Sequence, residues 1–167
     1  MTVSRLGASP LNCKPWRPPR PGLWTFNASE YIVGGGTVGS TSARALTDSL
    51  VGTGTSIILL PAHVVRDYYK QVNGSRNDLD ASGYVFPCSS TLPNFTVVIA
   101  GSKFMVPGSY INVQTAEDGV TCFGGIQDGF GARILGDIFL KAHFVVFENA
   151  GNKPRLEFAK QRGVPSS

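Results

Sequence analysis

Residues 50–60 read LVGTGTSIILL: an apolar run, a turn of glycines and hydroxyls, and a second apolar run. Turns between buried strands commonly use Asn, Asp or Pro beside glycine. Gly52-Thr53-Gly54-Thr55-Ser56 has none of the three, and an acidic residue is conspicuous by its absence. The stretch predicts a strand, a tight turn and a strand. Pro61 follows and suits the first position of a helix. In PAHVVRDYYKQV (61–72), Val64, Val65, Tyr68 and Val72 recur at helical spacing.

Outward from this unit the pattern is β. LWTFNASEYIVGG (23–35) alternates as a strand or hairpin arm. A polar loop is expected at 73–82. Short strands are expected in GYVFPC (83–88), FTVVIA (95–100), SKFMVPGSYI (102–111) and TCFGGI (121–126). RILGDIFLKAHFVVFE (133–148) predicts a strand, a helical turn or two, and a strand; RLEFAKQ (155–161) is a last strand. The 20 glycines and 11 prolines, with few strong helix formers, agree with an all-β class carrying one or two short helices. The length suits one domain with a real core, expected over 23–162. Residues 1–22 stand apart as a Pro/Arg-rich strap, whose PWRPPRP favours polyproline II, and 163–167 are a tail.

Several function classes drop out. Charged residues are 16% of the chain and the net charge of +4 gathers near the two ends, with no binding module beside it, so no nucleic-acid partner is expected. Apolar runs fall far short of the roughly 18–20 residues a membrane helix needs, so no membrane partner is expected. MTVSRLGASPLNCKPW lacks the apolar core of a secretory signal, which predicts a cytoplasmic location. GGGTVG (34–39) has the letters of a dinucleotide fingerprint, but no βαβ unit follows, so a hairpin loop is expected. Cys13, Cys88 and Cys122 fit no zinc spacing, and no metal or cofactor is expected. Glycosylation triplets begin at Asn27, Asn73 and Asn94 and, with Cys88 and Cys122, hint at secreted ancestry. His63 at a helix start reads as a surface residue; His143 lies in an apolar strand-like run, and neither is expected to be a base.

Five segments together carry a family resemblance: SLVGTGTSIILLPAHVVRDYYKQV (49–72), GYVFPCSSTLPNFTVVIAG (83–101), VPGSYIN (106–112), TCFGGIQ (121–127) and ILGDIFLKAHFVVFENAGNKPRLEFAKQ (134–161). They resemble the C-terminal lobe of a fungal pepsin-like aspartic endopeptidase, from about Gly22 to Gln161. The resemblance implies a single all-β lobe of a two-lobed fold, in which each lobe gives one Asp-Thr/Ser-Gly loop to a shared cleft. Here the motif reads Leu50, Val51, Gly52, Thr53, Gly54, Thr55, so Gly52 stands where the aspartate would be. Peptide hydrolysis in such a site uses two carboxylates about 3 Å apart that share a proton, with a water between them. Gly52 supplies neither role. Asp48, four residues earlier on an extended strand, would lie roughly 13 Å away. The resemblance leaves the N-terminal lobe, its aspartate and its flap unaccounted for, and a homodimer would only bring two copies of Gly52 together.

The resemblance also implies roles for other residues. Cys88 and Cys122 correspond to the disulfide of this lobe, while Cys13 has no counterpart. Asp137 would cap a short helix. Gly52, Thr53, Gly54, Thr55 and Ser56 would bracket the former site, with Ile126 and Gln127 near the cleft wall. The expected function is a non-proteolytic lobe recruited to transform a small molecule, as a cyclase, isomerase or dehydratase of fungal secondary metabolism. The alternative is a catalytically dead module that binds peptide or protein, and the remote alternative an active endopeptidase. Expected partners are a small-molecule or peptide ligand in the half-cleft, and a cover for the bare inter-lobe face: a second copy, another protein or the strap.

Overall fold

The computed structural model describes residues 24–35, 46–149, 155–161 and 163–164. The strap, Cys13 and most of the Gly-rich stretch lie outside them. The chain begins with β1 (Thr25–Phe26) and β2 (Ala28–Val33), which part at Asn27. The opening stretch forms β3 (Ser49–Val51), β4 (Ile58–Leu60) and helix α1 (Ala62–Tyr69). Then come β5 (Arg76–Asp78), β6 (Gly83–Pro87), β7 (Phe95–Ile99) and β8 (Ser102–Val106). Helix α2 (Gly108–Ile111) leads to β9 (Asn112–Thr115), β10 (Thr121–Gly124) and β11 (Ile126–Asp128). β12 (Ile134–Leu135), helix α3 (Asp137–Ala142), β13 (His143–Glu148) and β14 (Arg155–Lys160) follow. The lobe is mostly strand, as an all-β class requires. No helix among the described residues is long and apolar enough to cross a membrane.

The central sheet has the order β1-β3-β12-β4-β11. β3 and β4 are neighbours in sequence but do not pair with each other. β12 threads between them, parallel to β3 (Leu135↔Val51) and antiparallel to β4 (Leu135↔Ile58). The connection at 52–57 is therefore the rim of a slot that admits a third strand, which corrects the expected tight turn. Two further sheets, β5-β6-β10-β9 and β2-β7-β8, and the β13-β14 ribbon complete the described strands.

The helices show where local pattern and structure part. α1 buries Val64, Val65, Tyr68 and Tyr69, each worth about 1.5–3 kcal/mol by burial alone for the aliphatic members. It ends at Tyr69 and not at Val72: the N–H groups of Gln71 and Val72 bond three residues back, to Tyr68 and Tyr69, and Gly74 takes φ +71°. Pro61 is its N-cap, one place earlier than expected. SKFMVPGSYI does not continue as a strand, because Pro107 ends β8 and becomes the N-cap of α2. Among the described residues the lobe so carries three short helices rather than one or two. β5 lies inside the expected polar loop, and β9 is fully exposed; neither has the apolar alternation that marks a half-buried strand.

Cys88 and Cys122 are joined as a disulfide that ties the end of β6 to β10. Tyr69 stacks on Tyr84 with ring centroids 4.3 Å apart, and its hydroxyl fills the space a Cβ on Gly124 would need.

The β13-β14 ribbon has two unlike faces. Val145 and Phe158 lie cross-strand on the core side, with Leu156 buried beside them. Phe144 and Val146 point away and are exposed. At the start of β13, His143 is buried, stacked on Phe139 at 4.3 Å, edge-on to Phe104, with Nδ1 3.0 Å from the Phe139 carbonyl oxygen. Burial holds its pKa below the ordinary value, and Lys160 across the ribbon pushes the same way. The folded state thus favours the neutral ring. Stability from this group is complete above the unfolded pKa of about 6.5 and falls as the pH drops from there through the lower folded value. We expect the urea midpoint to decline between pH 7 and pH 5, and His143→Gln to flatten that decline. Equal declines in both proteins would remove His143 as the cause.

Candidate functional site

The 52–57 turn is clasped from one side. The N–H of Asp137 donates to the Thr55 carbonyl (2.8 Å) and that of Ile138 to the Ser56 carbonyl (3.2 Å). Gly52 N–H reaches the Leu135 carbonyl at 3.4 Å, and Ile58 N–H bonds the Gly125 carbonyl at 2.8 Å. Gly136 permits this approach: a Cβ there would overlap the carbonyl oxygens of Thr55 and Ile57. The clasp leaves Thr53, Gly54 and Ser56 exposed, with Gly52 and Thr55 half-buried. The hydroxyls of Thr53, Thr55 and Ser56 make no hydrogen bond among the described residues and are free to meet a ligand.

Gly52 differs from Gly136. A Cβ at 52 would find a single neighbour within 4 Å, Leu50 Cδ2 at 3.9 Å, and the backbone is not in the left-handed region. Neither φ nor space demands glycine there. The turn has the shape to carry a side chain and carries none. Among the described residues, no group of three or more His, Cys, Asp or Glu could hold a metal.

A Gly-Thr-Gly-Thr turn held inside a mainly β lobe agrees with the pepsin-like resemblance of the sequence. Residues 14–161 match the family described as eukaryotic aspartyl protease. The chain belongs to that family. Over 143 residues it is 52% identical to penicillopepsin-3 of Penicillium janthinellum, with 84% of this chain and 35% of the relative covered. Aspergillopepsin-1 of Aspergillus fumigatus is 50% identical, and that of Aspergillus clavatus 47%, over the same length and shares. The chain spans about a third of the length of these curated relatives. The aspartyl protease match begins inside the stretch set apart as a strap.

In this aspartyl protease lobe the remaining candidates take structural places. Asp48 is not on β3 as expected. It is an exposed residue of the turn ahead of it, at φ +54°, its N–H donating to Asn27 Oδ1 at 2.9 Å. Asp137 does not cap α3: it is the first helical residue, exposed, and Gly136 is the N-cap. Its charge still suits the positive end of the helix. Ile126 and Gln127, expected near a cleft wall, lie in β11, and Gln127 lines a cavity between α1, the β5-β6 hairpin and the turn after β11. Ile126 is wholly buried, and the Gln127 amide is engaged inside the fold. Gln127 Oε1 accepts from Tyr84 N–H at 2.7 Å, while Nε2 donates to the carbonyls of Tyr84 (3.0 Å) and Gly124 (2.8 Å). It clamps β6 to β11. His63 is half-exposed in the first turn of α1.

One feature near Gln127 had no sequence signal. A cavity of about 650 Å³ opens between α1, the β5-β6 hairpin and the turn after β11, rimmed by Leu79 and Phe130. It lies beyond the C-terminal ends of β4 and β11, whereas the Gly52 turn precedes β4. Single apolar residues in polar loops are ordinary, so nothing in the sequence marked these two.

Proposed function

We propose that this lobe holds peptide segments at the 52–57 turn and does not hydrolyse them. The observation that carries the reading is Gly52: an unstrained, open position with no carboxylate, in a turn otherwise clasped and intact. The three free hydroxyls can both donate and accept, which matches the alternating N–H and C=O groups of an extended peptide. The family description, aspartyl protease, favours peptide over other ligands. Small-molecule cyclisation, isomerisation or dehydration, the chemistry expected for fungal secondary metabolism, needs a positioned acid or base. The turn carries only hydroxyls, so the binding reading is the better supported.

Oxidised insulin B chain tests this. Titrated into labelled protein in mild acid, it should shift the amide signals of residues 52–56 and be recovered whole. Cleavage fragments, or no shifts in that turn, would overturn the reading.

The same proposal includes a cover for Phe144 and Val146, whose exposed stripe on the β13-β14 ribbon is the kind of surface a second copy can share. Sedimentation at micromolar concentration should show a dimer that Phe144→Ser with Val146→Ser dissociates. A monomer under both conditions removes the second copy.

A further inference from the structure

We propose that the cavity between α1, the β5-β6 hairpin and the turn after β11 is a second binding site, one that takes a peptide C-terminus ending in a large apolar residue. The proposal does not rest on the reading of the Gly52 turn.

Its rim is apolar where folding gives no reason for it. Leu79 is 89% exposed and Phe130 is 93% exposed, more than any other large apolar residue described. Each is held out by an aspartate-pinned turn. Asp78 Oδ1 accepts from the N–H groups of Asp80 (3.0 Å) and Ala81 (3.1 Å) around Leu79. Asp128 Oδ1 accepts from Phe130 N–H at 2.9 Å. Phe130 itself adopts φ +49°, next to Gly131 at +99°. A bulky residue in the left-handed region is a true outlier, and glycine or asparagine would make this turn at lower cost. An aromatic ring kept in a disfavoured conformation and turned to solvent points to a contact outside the fold.

The walls say what that contact carries. Arg66, exposed on α1, makes no ion pair among the described residues. Arg76 and Asp78, by contrast, satisfy each other at 3.2 Å. The side chains of Asn77 and Ser82 are also without hydrogen bonds among the described residues, and Asp128 has one carboxylate oxygen left for a donor. The site therefore offers an unmatched cation for a carboxylate, an apolar pair for a side chain, and acceptors for an amide N–H. A peptide C-terminus supplies all three at once. A free aromatic acid lacks the amide, and an internal peptide segment lacks the terminal carboxylate.

The probe is N-acetyl-Leu-Phe with a free carboxylate, compared with its C-terminal amide, by NMR titration of the full chain. We expect the acid to shift residues 77–84 and 128–131, and the amide to bind about tenfold more weakly, the loss of one charge-assisted pairing. Arg66→Gln should make acid and amide equivalent. Phe130→Gly suits the left-handed backbone, so it should fold at least as well, yet weaken the acid about tenfold or more. Gly52→Asp should leave the affinity unchanged. The proposal fails if acid and amide bind the parent protein equally, if neither binds, if the shifts fall in residues 52–56, or if Phe130→Gly binds as the parent does. Shifts in residues 52–56 would instead support the proposal for the Gly52 turn, and the other outcomes leave that proposal untouched, since that turn is read by a different set of amides.

Discussion

Casein incubated with the purified 167-residue chain in mild acid is expected to remain intact, and a statine inhibitor to make no difference. The chemistry requires one carboxylate to take a proton from water and another to give one to the peptide. Losing one catalytic member of such a unit costs on the order of 10⁴-fold or more in rate. On the reading proposed above, Gly52 leaves this lobe without that member. Gly52→Asp separates the structural from the chemical consequence. With only Leu50 Cδ2 near the new Cβ, the substitution should leave the melting temperature unchanged. It should not by itself confer cleavage, since no second Asp-Thr/Ser-Gly turn occurs in these 167 residues. Statine-sensitive proteolysis by the unaltered chain would refute the account. Proteolysis by the Gly52→Asp chain would show that two copies can assemble a dyad across their turns.

The second large effect is on stability. Reduction of the Cys88–Cys122 disulfide, or Cys88→Ala with Cys122→Ala, is expected to lower stability by roughly 3–4 kcal/mol. The estimate follows from the loop that the bridge closes, with its ends 34 residues apart in sequence. β6 and β10 are the inner strands of their sheet, and the bridge fixes them beside the pairing of Cys122 with Phe86. For a lobe of this size that is a fall in melting temperature of roughly 10 °C. Melting curves with and without reductant read it directly. Coincident curves would mean that the strand pairing alone restrains this segment.

Much of the fold was legible because its elements announce themselves locally. α1 has its apolar spacing and a proline before it; β12, α3 and β13 follow one another in RILGDIFLKAHFVVFE as expected. What local pattern could not show was partnership. LVGTGTSIILL has the composition of a hairpin, and nothing in it reveals that β12 separates its two arms. The role of Gly136 is visible only once Thr55 and Ile57 lie against it. β5 and β9 escaped notice because they are stabilised by ladders to β6 and β10 and bury little of their own. Of the candidate site, the turn itself was legible, its glycines and hydroxyls lying between β3 and β4. The burial of Ile126 and the clamp made by Gln127 were not legible, because an apolar residue beside an amide suits a ligand pocket and a sheet clamp equally well. The cavity was invisible because Leu79 and Phe130 come together only through the turn geometry of two separate loops.

The threading of β12 has a further consequence, for the growing chain. Val51 is bonded on one side, its N–H donating to the Trp24 carbonyl, but its other edge has no partner until Leu135 arrives, so no nascent segment that ends earlier can close the central sheet. During translation β3, paired with β1 alone, and β4 each wait with an open edge, the condition in which strands recruit the wrong partner. A topology that depends on so distant a pairing folds late and slowly. The lobe's most delicate moment lies at the ribosome, before any ligand is met.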